Sequence, residues 1–178
     1  MKRCLLFMVS FVFFALPHLM FAQVQNGSVR LNVILSQVQS LTVNEAQSQV
    51  DLHFSSKEDF RNGVNINEQN HLNVFSSGRF VVKVSAQSDL VRPGGRPIPA
   101  STIAVTPIAT GGVTGVPGMI TENRVSLSPQ VARPIIKSPT HGTIATSFDV
   151  LYHASGEGYA LLDNGTYSAT VVYTIEAE

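Results

Sequence analysis

Cysteine, tryptophan and charge are all scarce in this chain. The single cysteine, Cys4, stands near the N-terminus, so the rest of the chain can form neither a disulfide nor a thiolate-based catalytic or metal site. The lack of tryptophan disfavours a site that stacks on a sugar ring. Charged residues make up 13% of the sequence, about half the share usual in soluble domains. Such a surface suits close packing against other macromolecules, and it equally suits short strands that expose serine and threonine.

No excess of positive charge is present. Twelve basic residues balance twelve acidic ones over the whole chain, and without Lys2 and Arg3 ten basic residues face the same twelve. This balance gives no electrostatic basis for binding nucleic acid or an anionic membrane.

The motifs of common catalytic sites are also missing. No Gly-x-Ser-x-Gly sequence occurs, and Ser155 between Ala154 and Gly156 is typical of a turn. Neighbouring carboxylates at Glu58 and Asp59 fall in a predicted helical turn, and no glycine-rich loop ends in Lys-Ser or Lys-Thr. We therefore expect a protein that is not an enzyme and that holds no cofactor.

Metal ligands are few and badly spaced. The histidines beyond the N-terminal segment are His53, His71, His141 and His153, and no two of them have the spacing of a ligand pair. Asp163 and Asn164 offer oxygen atoms in a turn, but no loop of alternating carboxylates surrounds them. No metal site is predicted.

The N-terminus has the pattern of a secretory signal peptide. Lys2 and Arg3 precede an apolar run from Leu5 to Leu16, and Pro17-His18 interrupts that run. Small Ala22 then leads into polar residues, so cleavage is predicted after Ala22. A membrane anchor is the alternative, although a spanning helix needs about 20 uninterrupted apolar residues. Residues 1–22 are thus predicted to direct export to the periplasm, the cell surface or the medium, which leaves no membrane span in 23–178.

Apolar residues alternate with polar ones along most of residues 23–178. The period of two is typical of strands with one buried face, and it is clearest from Tyr167 to Ile175, where five apolar side chains are predicted to point inward. The same alternation is found in Val29–Leu35, Val50–Ser55, Phe80–Ala86 and Phe148–Tyr152, with weaker candidates at 41–43, 64–66, 72–75, 103–108 and 125–127. The pattern predicts one all-β, Ig-like antiparallel sandwich, because strands without helices cover their apolar faces with a second sheet.

Two local features depart from the strand pattern. Ser56–Asn62 is predicted to form one helical turn capped by Ser56 and ended by Gly63. Between Val91 and Ile120, 11 of 30 residues are glycine or proline, which predicts long loops around an edge strand at Ile103–Ile108. Arg92 and Arg96 in this region are candidates for gripping a carboxylate or sugar acid, or for keeping a mobile loop soluble.

The strand sequences resemble those of a known group of proteins. Leu31-Asn32-Val33-Ile34-Leu35, the run from Phe80 to Ala86 and the closing segment from Asn164 to Ile175 are similar to small exported bacterial proteins. That group is distantly like the spore-coat U, pilin-like and WxL β-sandwich domains. The resemblance implies an exported sandwich without catalytic residues. The chain has neither a Trp-x-Leu motif nor paired cysteines.

Two functions from different classes remain open. The first is a structural subunit of a fimbria or other surface assembly, in which Val29, Leu31, Val33 and Leu35 form an edge or donor strand. That strand either pairs within its own sheet or is added to the sheet of a neighbouring copy or another subunit. The second is a module that binds cell-wall or extracellular glycan through the Val91–Ile120 loops.

Overall fold

The computed structural model describes residues 27–110 and 118–178. The predicted signal peptide, residues 1–22, and part of the glycine-rich loop therefore lie outside the described residues. Residues 35–178 form one compact unit, and the described residues before them, 27–34, are not part of it.

Two antiparallel sheets make up the compact unit, as the alternation predicts. Among the described residues the first sheet has the strand order β1-β2-β8-β4-β6 and the second has the order β5-β7-β3-β9. The strands are β1 (Gln39–Val43), β2 (Val64–Ser76), β3 (Phe80–Ala86), β4 (Ile103–Ala109), β5 (Ile120–Thr121), β6 (Val125–Ser126), β7 (Arg133–Ser138), β8 (Thr143–Ala154) and β9 (Val171–Ala177). The prediction of an all-β sandwich is confirmed.

The core lies between the sheets and is built from inward side chains of both. Phe80, Val82 and Val84 on β3 face the core from one sheet, and Phe148 and Val150 on β8 face it from the other. All five are at most 1% exposed. Full burial of an aliphatic or phenylalanine side chain stabilises by about 1.5–3 kcal/mol, so these two central strands carry a large share of the stability of a domain without disulfides.

The longest strand, β2, joins two segments that the sequence separates. Residues 64–66 and 72–75 were expected as independent strands, but they are one strand with an irregularity between Glu68 and Leu72. Asn70 adopts a positive φ of 49° there, and the Asp149 side chain accepts a hydrogen bond from its amide. The bulge breaks the alternation, so that both His71 and Leu72 point inward.

Strand β4 is not the edge strand that its flanking prolines and glycines predicted. It lies between β8 and β6, and its register with β8 runs from Ile103 opposite Ala154 to Ala109 opposite Phe148. Pro107 sits inside the strand, opposite Val150. The two-residue strand β6 pairs only with Ala104 and Val105, which leaves the β6 side of Pro107 free of a ladder.

The predicted helical turn is present as α1 (Lys57–Asn62). Ser56 Oγ accepts from the Asp59 amide, while the Asp59 carboxylate accepts from the Ser56 amide at 2.7 Å, which completes a capping box. Gly63 ends the helix with φ 79°, and a Cβ there would lie 2.3 Å from the Ala154 carbonyl oxygen. Phe60 packs on Phe54, with ring centroids 5.4 Å apart.

Two segments with strand-like alternation do not belong to a sheet. Val29–Leu35 was expected as a strand, but the described residues 27–38 contain no strand. Pairing of this segment within its own sheet is therefore not observed. Residues 50–55 are also outside the sheets, yet Val50, Leu52 and Phe54 are half-buried while the residues between them are exposed. Conversely, β5 and β7 were not predicted.

Three short 3₁₀ turns complete the described elements. They are η1 (Glu45–Gln47), η2 (Ala100–Thr102) and η3 (Tyr159–Leu161). The first holds Gln47 near the bulge of β2, because Gln47 Nε2 donates to the Gln69 carbonyl oxygen at 3.0 Å.

Candidate functional site

Strand β9 forms one edge of the second sheet. Its register with β3 runs from Val171 opposite Ala86 to Ala177 opposite Phe80. Just outside the strand, the Gln87 amide donates to the Thr170 carbonyl and the Glu178 amide donates to the Arg79 carbonyl. In an antiparallel ladder, hydrogen-bonded pairs alternate with non-bonded ones. The even-numbered residues of β9 therefore bond to β3, and the amide and carbonyl groups of Val171, Tyr173 and Ile175 point away from it.

The inner face of β9 is only partly covered. Val171, Tyr173 and Ile175 pack against the core but remain half-buried, whereas the matching residues of β3 are fully buried. Strand β1 approaches β9 from the opposite sheet, and its inward Leu41 is also half-buried. This side of the sandwich thus combines unpaired backbone groups with incompletely covered apolar side chains. We call Val171, Tyr173 and Ile175 with their outward backbone groups the β9 edge.

Residues 27–35 expose their apolar side chains almost completely. Val29 is 94% exposed, and the large apolar residues after it, Leu31, Val33, Ile34 and Leu35, are between 76% and 90% exposed. The next residues are held at the start of β3, because the Val38 amide donates to Ser77 Oγ at 2.8 Å and Gln37 donates to the Arg79 carbonyl. Contiguous exposed apolar residues are typical of a surface that another molecule covers.

A chain of hydrogen bonds crosses from the first sheet to β9. His71, which is 2% exposed, lies with Nδ1 3.0 Å from Gln47 Oε1 and with Nε2 2.9 Å from the Tyr152 hydroxyl. The Tyr152 hydroxyl lies 2.6 Å from that of Tyr173. The His71 ring meets both tyrosine rings edge-on, at centroid distances of 5.6 and 6.1 Å. We call these four residues the His71 chain.

Burial shifts the pKa of each titratable member toward its neutral form. Burial lowers the pKa of His71, and the charge of Glu68 opposes this shift only in part. Burial raises the pKa of Tyr152 to about 12, although its hydrogen bond with Tyr173 acts in the other direction. The pKa of Tyr173 is raised well above its usual value, first by burial and then by Tyr152. The His71 chain is therefore uncharged at neutral pH.

Arg92, a predicted ligand-binding residue, is used within the fold. Its guanidinium donates to the Asn164 carbonyl oxygen, lies 3.7 Å from the Asp163 carboxylate and stands 5.9 Å from the Tyr167 ring centre. These contacts attach the loop after β3 to the turn before β9. Arg92 is not among the residues that line the cleft beside Arg96.

Arg96 instead lines an open cleft of about 330 Å³. The residues that line the cleft with Arg96 include Glu157 and Tyr159. The Tyr159 hydroxyl is 2.6 Å from Thr102 Oγ1, and its ring packs on Phe54 at 5.1 Å. Burial raises the Tyr159 pKa. Proline side chains and apolar groups complete the lining: Pro97, Ile98, Pro99 and Leu162.

Another histidine lies in a polar cluster on the first sheet. His153 contacts Asn65 through Nδ1 at 2.7 Å and Arg124 through Nε2. Burial and the Arg124 charge both lower its pKa.

Within residues 27–110 and 118–178, no group of three histidine, cysteine or acidic side chains is placed to hold a metal ion. No helix of these same ranges is long and apolar enough to cross a bilayer.

Comparison with known proteins gives one distant structural match. No protein-family model matches the chain, and no curated protein does. Among solved structures, a chain from the structure of a chaperone–usher pilus aligns with 88% of this chain and 97% of its own length, at 11% identity and a TM-score of 0.39. A score below 0.5 is too low to assign a common fold, so the β-sandwich assignment depends on the two sheets described above.

The His71 chain is the feature that the sequence pattern indicated least. Tyr152 and Tyr173 occupy predicted inward positions, and a buried tyrosine needs a partner for its hydroxyl group. In the sequence, the need of these two hydroxyl groups for partners was the sign that a buried hydrogen-bonded group exists. His71 itself was hidden, because it points inward only through the bulge at Asn70.

Proposed function

We propose that this protein is an exported, non-enzymatic subunit of a fimbria or other cell-surface assembly. Copies join when residues 29–35 of one copy add as a strand to the β9 edge of the next. The strongest support is a pair of complementary features. The apolar side chains of residues 29–35 are exposed, and the apolar side chains of the edge strand β9 are only half-covered.

Backbone chemistry favours this pairing. The β9 edge offers outward amide and carbonyl groups at Val171, Tyr173 and Ile175, and strand addition satisfies such groups on both partners at once. Residues 29–35 match the seven-residue length of β9, and both contain no proline or glycine.

Side-chain periodicity favours it as well. Val29, Leu31, Val33 and Leu35 lie on one face of an extended strand, and that face would meet the half-buried inner side of β9. Arg30, Asn32 and Ile34 lie on the other face and stay in solvent. Covering each of these four aliphatic side chains stabilises by about 1.5–3 kcal/mol, which offsets most of the cost of ordering the segment, roughly 1–2 kcal/mol per residue.

The decisive experiment compares two aspartate variants of the chain from residue 23 onward. Leu31→Asp places a charge on the apolar face of the segment, whereas Asn32→Asp adds the same charge on the polar face. We expect concentration-dependent oligomers by light scattering for the natural chain and for Asn32→Asp, and monomers for Leu31→Asp. Monomers for all three chains at high concentration would refute the proposal, and so would equal assembly by the two variants.

A binding module for acidic or neutral glycan is the second candidate, supported by the Arg96 cleft. Arg96, Glu157 and Tyr159 line the cleft together with apolar residues, a combination that suits a sugar ring carrying a carboxylate or hydroxyl groups. Retention on purified cell-wall sacculi tests it. Arg96→Ala should reduce retention, whereas Arg133→Ala, an exposed arginine on β7, should not. Equal retention of both variants would exclude the cleft.

A further inference from the structure

The His71 chain links one titratable side chain to the edge strand β9. His71 belongs to β2, Tyr152 to β8 and Tyr173 to β9, so the chain passes from the first sheet into the second. Tyr173 also carries outward backbone groups of the β9 edge. A change in the hydrogen bonding of His71 therefore reaches β9 through two hydroxyl groups.

At neutral pH the hydrogen atoms of the chain have one consistent arrangement. Gln47 Oε1 is an acceptor, so His71 Nδ1 donates to it, and the neutral imidazole then has only an acceptor at Nε2. Tyr152 must donate to Nε2, which makes its oxygen the acceptor for the Tyr173 hydroxyl hydrogen. Each donor is matched to an acceptor, and no buried side-chain nitrogen or oxygen in the described part of the chain lacks a partner.

Protonation of His71 makes this arrangement impossible. The imidazolium donates from both nitrogens, so Tyr152 can no longer donate to Nε2 and must turn its hydrogen toward Tyr173. The Tyr173 hydroxyl hydrogen then has to leave Tyr152, and among the described residues no other acceptor contacts it. A hydroxyl donor that loses its partner inside the protein is costly. Tyr173 is half-buried on the edge strand β9, so movement of this strand relieves the cost.

We propose that His71 is an acid sensor that loosens β9: proton uptake reverses the hydrogen bonds of the His71 chain and moves Tyr173 away from Tyr152. The groups that face His71 are Glu68 on its own strand, the neutral Gln47 from η1 and the two tyrosines from β8 and β9. Glu68 favours the charged imidazolium, while burial opposes it.

The consequence for assembly rests on the proposed function. If β9 accepts a strand from a neighbouring copy, acid would loosen the strand that receives it and so change the rate of strand addition. The sensor itself needs no partner, so it can be tested on a chain that cannot assemble.

Hydrogen exchange of the Leu31→Asp chain at pH 7.5 and pH 5 tests the sensor directly. We expect the protection factors of the β9 amides, corrected for intrinsic rates, to fall at least tenfold at pH 5, while those of β8 change little. His71→Gln should remove this difference. His153→Gln is the matched control, since His153 also has a lowered pKa but lies outside the chain, and it should retain the difference.

Two conservative variants keep the test valid if His71→Gln does not fold. Glu68→Gln removes the charge that favours the imidazolium, so the loosening should shift to lower pH. Tyr173→Phe retains the ring but removes the last hydroxyl group, so β9 should keep its protection when His71 is protonated. Unchanged β9 protection in the natural sequence down to pH 5, or an identical acid response in His71→Gln, would overturn the proposal.

Discussion

At the scale of single residues, Tyr152 gives the stability of the protein an alkaline limit. Its pKa is raised to about 12 in the folded chain, against about 10 for an exposed tyrosine. Between these values the unfolded chain has lost the proton that the folded chain retains, so the unfolded state binds fewer protons and stability falls as pH rises.

We therefore expect the free energy of unfolding in urea to decrease between pH 10 and pH 12. Tyr152→Phe should flatten this decrease, because phenylalanine has no proton to lose, although it leaves His71 without its donor. The phenolate absorbance of the folded protein provides an independent measurement. A tyrosine titration complete by pH 10.5 without unfolding would contradict the prediction.

Arg92 attaches two loops through geometry that only a guanidinium provides. Its guanidinium donates to the Asn164 carbonyl, pairs with the Asp163 carboxylate and lies near the Tyr167 ring. The ammonium group of lysine is not planar, so it cannot make these contacts together. Arg92→Lys should destabilise the protein by about 0.5–1 kcal/mol and speed proteolysis of the loop between β3 and β4. Arg96→Lys is the control, and equal proteolysis of the two variants would contradict the assignment.

At the scale of elements, α1 depends on its capping box more than on its length. Six residues are too few for a stable isolated helix. The backbone amides of Ser55 and Ser56 donate to the Asp59 carboxylate and lower its pKa, so the cap favours the charged carboxylate. Ser56→Ala should cost about 1 kcal/mol and lower the melting temperature. Ser55→Ala retains the backbone amide that donates to Asp59, so it should cost clearly less. A larger loss for Ser55→Ala would show that the box is not what holds the helix.

Strand β9 allows a matched pair of proline substitutions at neighbouring valines. Proline removes an amide donor, and the register assigns the Val171 amide to the free edge and the Val172 amide to the ladder with β3. We expect Val172→Pro to lower the melting temperature much more than Val171→Pro. In addition, Val171→Pro should weaken assembly while the monomer stays folded. The reverse order of stability would show that the register of β9 is wrong.

The sequence predicts an element well when local alternation alone determines it, and poorly when the element depends on residues that are distant along the chain. Alternation alone predicts Phe80–Ala86 and most of the closing strand, although the predicted residues 167–170 lie outside β9, which begins at Val171. Arg133–Ser138 was missed, since Pro134 and the neighbouring Ile135 and Ile136, both fully buried, do not alternate. Val29–Leu35 alternates well but forms no strand, because a strand also needs a partner edge, and periodicity does not identify that partner.

The same limit explains what was missed in the candidate site. Periodicity placed Tyr152 and Tyr173 inward and indicated Val29–Leu35 as an edge or donor strand, but it did not indicate that this segment lies outside the sheets. It did not place Arg92 on the Asp163 turn, which is distant along the chain, and it did not place His71 in the core, which requires a bulge.

At the scale of the whole molecule, stability and the proposed assembly depend on the same sandwich. The described residues beyond the N-terminal segment contain no cysteine, so packing between the sheets must hold the fold without a disulfide, and on the β9 side this packing is only half-covered. A strand added there would complete the core as well as join two copies. Anything that binds only the folded state raises its stability by mass action.

A synthetic peptide of residues 27–38 should therefore stabilise a chain that begins at residue 36. We expect the melting temperature of the shortened chain to rise with peptide concentration, because the bound peptide supplies apolar cover for Val171, Tyr173 and Ile175. The same peptide with Leu31→Asp should have little effect, whereas Asn32→Asp should act like the natural peptide. Loss of the effect in Val171→Pro would locate the added strand at β9. Stabilisation by the Leu31→Asp peptide as strong as by the natural one would instead mean that the binding does not depend on strand alternation.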